Sequence, residues 1–199
     1  MLRVIGVVGY KDSGKTTLTH ALAHKLTSRG YEVGIIKHTH HSLDLPGKDT
    51  ATLGESVAQV GVISPQESGV FWKTPLSLES IISHFKVDII LIEGFKMEKT
   101  YPKIACLRGE PDDGNLFDGL TICAVGPADR LKELHVPSCG DLEIPLFSWD
   151  DGDRIADLVE QKAFKLPKLD CGDCGRERCY DMAREIVAGT GSWEECVAL

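Results

Sequence analysis

The sequence predicts an α/β protein: a mostly parallel sheet flanked by helices, with a small four-cysteine module appended. Three observations predict it. Short β-branched apolar runs alternate with helical patterns, the arrangement that builds parallel sheets. A glycine-rich turn joins the first such run to the first helix. Four of the seven cysteines fall within residues 171–196, where the composition changes abruptly.

Leu2 to Val8 is apolar, β-branched and bounded by glycine, so it reads as a buried parallel strand. Lys15 to Arg29 reads as a helix, with Leu18, Leu22 and Leu26 on one stripe and Gly30 as its stop. Tyr31 to Lys37 is a second strand. Residues 38–54 hold His, Asp, Pro and Gly without apolar periodicity and read as a functional loop. Shorter strands are expected near Val57 to Ser64 and Gly69 to Lys73, and a helix over Ser77 to Phe85. Val87 to Ile92 is another buried strand, ending at Glu93-Gly94. Ile104 to Leu107, Leu120 to Val125 and Leu146 to Phe147 continue the sheet. Asp150 to Phe164 is a helix that turns Ile155, Leu158 and Val159 inward. Lys165 to Lys168 reads as a linker. The boundary is placed near residue 166, between a main domain at 1–165 and a cysteine module at 166–199.

A chain of 199 residues fits one main domain plus a small appendage. The net charge of -8 argues against an extended nucleic-acid surface and against docking on anionic membranes. No run reaches the roughly 20 apolar residues of a membrane span. The stretch Met1 to Gly9 leads into the glycine turn without a small-residue cleavage site, so it reads as a strand and not a signal peptide. A soluble cytoplasmic protein is the expectation. Seven cysteines fit no complete disulfide set, and in a reducing compartment a tight cysteine cluster reads as a metal site.

Gly9-Tyr-Lys-Asp12-Ser13-Gly14-Lys15-Thr16, with Thr17 following, matches G-x-x-x-x-G-K-[ST] at every fixed position. Glycines let backbone N–H groups curl around phosphate oxygens, Lys15 reaches β- and γ-phosphates, and Thr16 offers its hydroxyl to Mg²⁺. The helix that starts here adds its positive dipole end. The run Asp88 to Phe95, an apolar strand ending in a carboxylate, has the Walker B form. It puts Glu93 beside the phosphates, to hold Mg²⁺ or orient a water; Asp88 reads as a strand cap. Lys37-His38-Thr39-His40-His41 reads as a polar loop near the phosphates, with metal ligation by the histidines as the second reading. Lys48 and Asp49 follow a Pro-Gly turn and face the γ-phosphate and Mg²⁺ in the functional reading.

These segments together resemble the MobB family, the molybdopterin-guanine dinucleotide biosynthesis protein B. The matching pieces are residues 9–17, Lys37-His38 with His40-His41, residues 44–50, and Glu93-Gly-Phe-Lys96 followed by Pro102-Lys-Ile104. The resemblance covers roughly residues 1–160. It implies GTP binding with Mg²⁺, weak GTPase activity, and a homodimer. That homodimer would help attach a guanine nucleotide to molybdopterin, beside a guanylyltransferase partner. By position it carries over phosphate contacts from Gly14, Lys15, Thr16 and Thr17, and a γ-phosphate or Mg²⁺ role for Asp49 and Glu93. No Asn-Lys-x-Asp is present to read guanine; Asp129 is the candidate in the expected region.

Cys171-x₂-Cys174-x₄-Cys179-x₁₆-Cys196 is the second strong signal, with Met182 to Ala188 reading as a helix between the third and fourth cysteines. Four thiolates at this spacing hold tetrahedral zinc or a [4Fe–4S] cluster. Residues 169–189 resemble the small four-cysteine iron–sulfur domain of electron-transfer and corrinoid proteins, which favours the cluster, with zinc as the alternative. The tail departs from the ordinary MobB pattern. Cys106, Cys123 and Cys139 read as small buried hydrophobes. Two further functions stay open here. A P-loop kinase is poorly supported, since Arg108 and Arg130 are the only arginines between 30 and 153. A redox-controlled metal-delivery or scaffold protein would use nucleotide only to set a conformation.

Overall fold

A computed structural model describes residues 2–43, 49–128 and 143–199. It divides into two compact units, Met1–His38 with Val87–Leu199, and Thr39–Lys86.

Among the described residues the first unit carries six parallel strands. In chain order they are β1 (Arg3–Gly9), β2 (Val33–Lys37), β5 (Ile89–Glu93), β6 (Lys103–Cys106), β7 (Thr121–Val125) and β8 (Leu146–Phe147). They lie side by side as β2-β5-β1-β6-β7-β8. The expected mostly parallel sheet with flanking helices is what forms. Strand β1 sits mid-sheet, with earlier and later crossovers leaving to opposite sides, and such a switch point opens a crevice at the strands' carboxyl ends. Register sets what faces that crevice: Glu93 pairs with Val7 on β1 and with Lys37 on β2.

One face is covered by α1 (Lys15–Ser28), a helix at Gly152–Lys162 and another at Cys179–Ala188. Leu18, Leu22 and Leu26 of α1 and Ile155, Ala156 and Val159 of the second helix meet Ile5, Val7, Ile89 and Leu91 of the sheet. Asp88, read as a strand cap, accepts from the Glu32 amide at 2.8 Å. Cys106 and Cys123 are fully buried on the sheet; burial pushes the Cys106 thiol up to about 12 and raises that of Cys123 as well. Cys139 lies outside the described residues.

The second unit holds α2 (Asp49–Leu53), β3 (Gln59–Ile63), β4 (Ser68–Trp72) and α3 (Leu78–Ile82). Strands β3 and β4 form their own antiparallel pair and not part of the parallel sheet. Ser77 caps α3, its side chain accepting from the Ser80 amide. The helices of the first unit continue the numbering as α4 (Gly152–Lys162) and α5 (Cys179–Ala188).

The composition break near residue 166 is not a break in packing. Cys179, Met182, Ala183 and Val187 of α5 join the same core as Leu120 and Ile122 of the sheet. Helix α5 starts three residues earlier than its pattern suggested, because the Asp170 carboxylate accepts from the Cys179 amide at 2.6 Å. Gly189 closes it at φ 76. No helix among the described residues is long and apolar enough to cross a membrane.

Candidate functional site: a glycine loop at the sheet's carboxyl edge

Chain geometry builds the loop between β1 and α1. Gly9 has no room for a side chain, since a Cβ there would lie 2.3 Å from Ser13 Oγ and 2.8 Å from the Cys106 carbonyl. Asp12 adopts φ 61 and Gly14 φ 78, so the backbone curls twice through the left-handed region before the helix begins. Ser13 is buried. The Gly14 carbonyl accepts from the Leu18 amide at 2.9 Å, which starts α1 with its free N–H groups toward the loop. Lys15 folds back and donates to the Tyr10 carbonyl, with Ser13 Oγ at 3.5 Å. Thr17 is exposed on the first turn of α1.

The sequence-predicted partners meet. Thr16 Oγ1 donates to Glu93 Oε1 at 2.9 Å, 77 residues away along the chain. Glu93 is buried. Asp49 begins α2 in the other unit and is exposed. Lys48 and Asp129 lie outside the described residues. His38 stacks on Phe95 with ring centroids 4.4 Å apart, and its amide donates to the Glu93 carbonyl at 2.9 Å.

Lys37, whose segment was expected near the phosphates, stands here with three residues that had no expected role in the site, Tyr10, Lys96 and Arg108. Lys37, the last residue of β2, bridges the pair: its ammonium lies 3.1 Å from Glu93 Oε1 and 3.3 Å from Thr16 Oγ1. Its position at a strand end, in register with Glu93, was the available signal. Tyr10 carries two cations on its ring, Lys96 at 3.8 Å and Arg108 at 4.5 Å. Lys96 is held below the usual lysine range by burial first, then by the charges of Lys15 and Arg108. The loop is therefore ringed by positive charge, suited to a polyanion.

A hydrogen-bonded path runs from this site to the cysteine tail. Lys103, with a side chain only 1% exposed, donates to the Lys96 carbonyl at 2.7 Å and to Asp118 Oδ2 at 2.5 Å. Tyr180 of α5, next to Cys179, donates to the Asp118 carbonyl at 2.5 Å. Lys168 pairs with buried Glu98 at 2.6 Å.

Cys171, Cys174, Cys179 and Cys196 line one small pocket, with Asp170, Arg176 and Met182 around them; Cys171 is exposed and Cys179 buried. Gly172 and Gly175, both at positive φ, turn the chain between the first cysteines, and the Gly175 amide donates to the Gly172 carbonyl at 2.8 Å. Arg176 ties the pocket together by reaching Glu185 and Glu195 at 2.7 Å each and the Cys174 carbonyl at 3.0 Å. Among the described residues no group of three or more His, Cys, Asp or Glu side chains is drawn together as for a single metal ion.

A glycine loop that hands β1 to α1, with a strand-end carboxylate bonded to its hydroxyl residue, defines a P-loop NTPase fold. Residues 4–125 match the family described as "MobB: Molybdopterin guanine dinucleotide synthesis protein B". The chain belongs to this family. Residues 166–198 match a second description, "Putative Fe-S cluster". The "Molybdopterin-guanine dinucleotide biosynthesis adapter protein" of Escherichia coli is 38% identical over 80% of this chain and 92% of its own length. The "Putative molybdopterin-guanine dinucleotide biosynthesis adapter protein" of Methanocaldococcus jannaschii is 29% identical over 98% of this chain and 77% of its own. The crystal structure of Bacillus subtilis MobB aligns with a TM-score of 0.64 at 25% identity, over 82% of this chain and 99% of that one.

Proposed function

We propose that the chain is a GTP-binding adapter of molybdopterin guanine dinucleotide synthesis with weak GTPase activity. In this reading it works as a homodimer beside a guanylyltransferase partner and holds a [4Fe–4S] cluster in its cysteine module. The family and the names of its relatives support the pathway. The observation that carries the nucleotide reading is the bond from Thr16 to Glu93 with the Lys37 ammonium against both oxygens.

That ammonium is a stand-in cation, and it tests whether Mg²⁺ fits. Two oxygens, one from the first turn of α1 and one from the end of β5, already converge on one positive charge at 3.3 and 3.1 Å. A magnesium ion needs oxygens at about 2.0–2.1 Å and keeps several waters, so one hydroxyl and one carboxylate suffice from the protein. Thr16 and Glu93 would hold it, and it would neutralise charge developing on the β- and γ-phosphate oxygens. Gly9, Asp12, Ser13 and Gly14 supply the backbone cradle, Lys15 swings from the Tyr10 carbonyl to the β- and γ-phosphates, and Thr17 contacts the phosphates at the helix start. Glu93 orients the attacking water. Asp49 is assigned to hydrolysis on the family resemblance alone.

Four thiols sharing one pocket suit zinc or a cluster by ligand type. The match of residues 166–198 to the description "Putative Fe-S cluster" supports the cluster. Cys171, Cys174, Cys179 and Cys196 would hold it, and it would supply one-electron chemistry.

The test is turnover. Glu93→Gln and Asp49→Asn should each lower GTP hydrolysis at least about tenfold and leave GDP affinity nearly intact, as expected of groups acting mainly in the transition state. Unchanged turnover in both variants would refute the assignment.

A further inference from the structure

We propose that Trp149 and Asp150 form the base pocket of the nucleotide site. The indole is the stacking platform and the Asp150 carboxylate selects guanine. This rests on the nucleotide reading above and names the part of the site that the phosphate loop cannot supply.

Strand β8 is the last parallel strand and ends at Phe147. The turn that follows, Ser148 to Asp151, therefore leaves the same carboxyl edge as the glycine loop and Glu93. Its tryptophan lies on that loop. A Cβ added to Gly14 would stand 2.4 Å from Cη2 of Trp149, 2.9 Å from Cζ2 and 3.1 Å from Cζ3. The six-membered ring thus rests on bare backbone where α1 begins, and glycine is required there twice, for its φ and for this contact. Yet Trp149 keeps 37% of its surface exposed. An aromatic wall pinned at one edge beside a phosphate cradle, with its remaining surface open, is what a stacked base needs.

The turn also separates two neighbouring carboxylates. Asp151 is spent on structure: its Oδ2 accepts from the Ser148 amide at 2.8 Å and from Ser148 Oγ at 3.0 Å, and its Oδ1 accepts from Arg154 at 3.1 Å. The Ser148 amide, foremost among these, holds its carboxyl below the usual range. Asp150 contributes only its amide, to Ser148 Oγ at 3.3 Å. Its carboxylate is exposed and has no partner among the described residues.

Stacking alone does not discriminate, because every base has a π-face. The edges do. Guanine presents an N1–H and a 2-amino group side by side, two donors that match a carboxylate, an acceptor-only group. Adenine presents an N1 lone pair to the same oxygens and is repelled. Asp150 therefore selects both by attraction and by exclusion.

The experiment is a titration of the full chain with Mg²⁺ and four probes: GTP, ATP, XTP and inorganic tripolyphosphate. Trp149→Ala and Trp149→Leu should each weaken GTP by about ten- to a hundredfold and leave tripolyphosphate unchanged. The leucine variant fills the space on Gly14 without an aromatic face, so a collapsed loop cannot mimic the result. Trp149→Phe should keep most of the affinity. Asp150→Asn should lower GTP affinity and raise that of XTP, whose 2-oxo group accepts from the new amide. In a chain carrying Trp72→Phe and Trp193→Phe, GTP should quench the remaining tryptophan fluorescence, and tripolyphosphate should not. Unchanged GTP affinity in Trp149→Ala and Trp149→Leu would overturn the platform, as would an equal loss of tripolyphosphate, which would make the indole a prop for the loop. Unchanged selectivity in Asp150→Asn would overturn the base reader. If the unaltered chain binds tripolyphosphate but prefers no nucleotide, the GTP reading itself is wrong; if it binds none of the probes, both proposals are.

Discussion

Replacing Asp118 by asparagine should be among the most damaging single changes outside the phosphate loop. Asp118 holds the buried ammonium of Lys103 at 2.5 Å and that of Lys99 at 2.7 Å. Burial pushes Lys103 below the ordinary lysine range, and Asp118 is what pulls it back. The Asp118→Asn variant leaves a fully buried ammonium bonded only to neutral oxygens, the Lys96 carbonyl and the new amide, with Glu98 as a more distant charge. Breaking a buried pair from one side costs about 3–5 kcal/mol, whereas removing the cation with an apolar isostere is often near neutral. Lys103→Met should therefore cost less than Asp118→Asn, within about 2 kcal/mol after the lost bond to Lys96. For a chain of this size the larger loss corresponds to a fall in melting temperature of about 6–20 °C. The sign with pH follows. An unpaired Lys103 has its folded pKa below its unfolded one, so the penalty is complete below the folded value and shrinks as pH rises through it. Urea denaturation of both variants under anaerobic conditions, at pH 7 and pH 9, reads this out. A loss below about 1 kcal/mol in Asp118→Asn, or an equal loss in Lys103→Met, would refute the reasoning.

Lys37→Met should remove the cation that competes for Thr16 and Glu93, so the nucleotide-free variant should bind Mg²⁺ several-fold more tightly by calorimetry; weaker binding would contradict the stand-in role. Lys168→Ala should raise the Glu98 carboxyl: burial pushes it up, and the Lys168 bond is the first of the contacts that outweigh burial. Because the folded pKa of Glu98 lies below its unfolded one, its contribution is present above about pH 4.5 and fades as pH falls through the folded value; a carbon-detected NMR titration in which Lys168→Ala leaves Glu98 unmoved would count against it. On the iron–sulfur reading anaerobically purified protein should be brown, and Cys196→Ser should abolish that colour while α5 persists by circular dichroism, since Met182, Ala183 and Val187 stay in the main core. Met182→Ala, by contrast, should cost about 2–5 kcal/mol as a buried truncation, and no measurable loss in a denaturant titration would place α5 outside the core.

The legible parts of the fold were those written in local pattern. The apolar run of β1, the leucine stripe of α1 and the strand ending at Glu93 each carry a period or a punctuation mark that survives without the rest of the chain. The pairing of Thr16 with Glu93 was legible because both belong to a spaced motif. Lys37 was legible as part of a polar segment near the phosphates, but its bond to Glu93 was not; Lys96, Arg108 and Trp149 enter the site through sheet order and register, which depend on contacts far apart in sequence. The short runs of β3 and β4 carry no signal separating an added parallel strand from a hairpin of its own. In the tail, cysteine spacing dominated the reading. The apolar face of α5, with Met182, Ala183 and Val187, was present in the sequence but does not say which core it joins.

The most direct measurement is a competition titration of Mg·GTP against Mg·ATP on the anaerobically purified chain and on its Lys15→Ala variant. The unaltered chain should prefer GTP. The variant, lacking a charged donor to the β- and γ-phosphates, should lose about 1.5–3 kcal/mol of binding, or about ten- to a hundredfold in affinity. Equal affinity for the two nucleotides would contradict the guanine reading, and an unchanged affinity in Lys15→Ala would contradict the phosphate site itself.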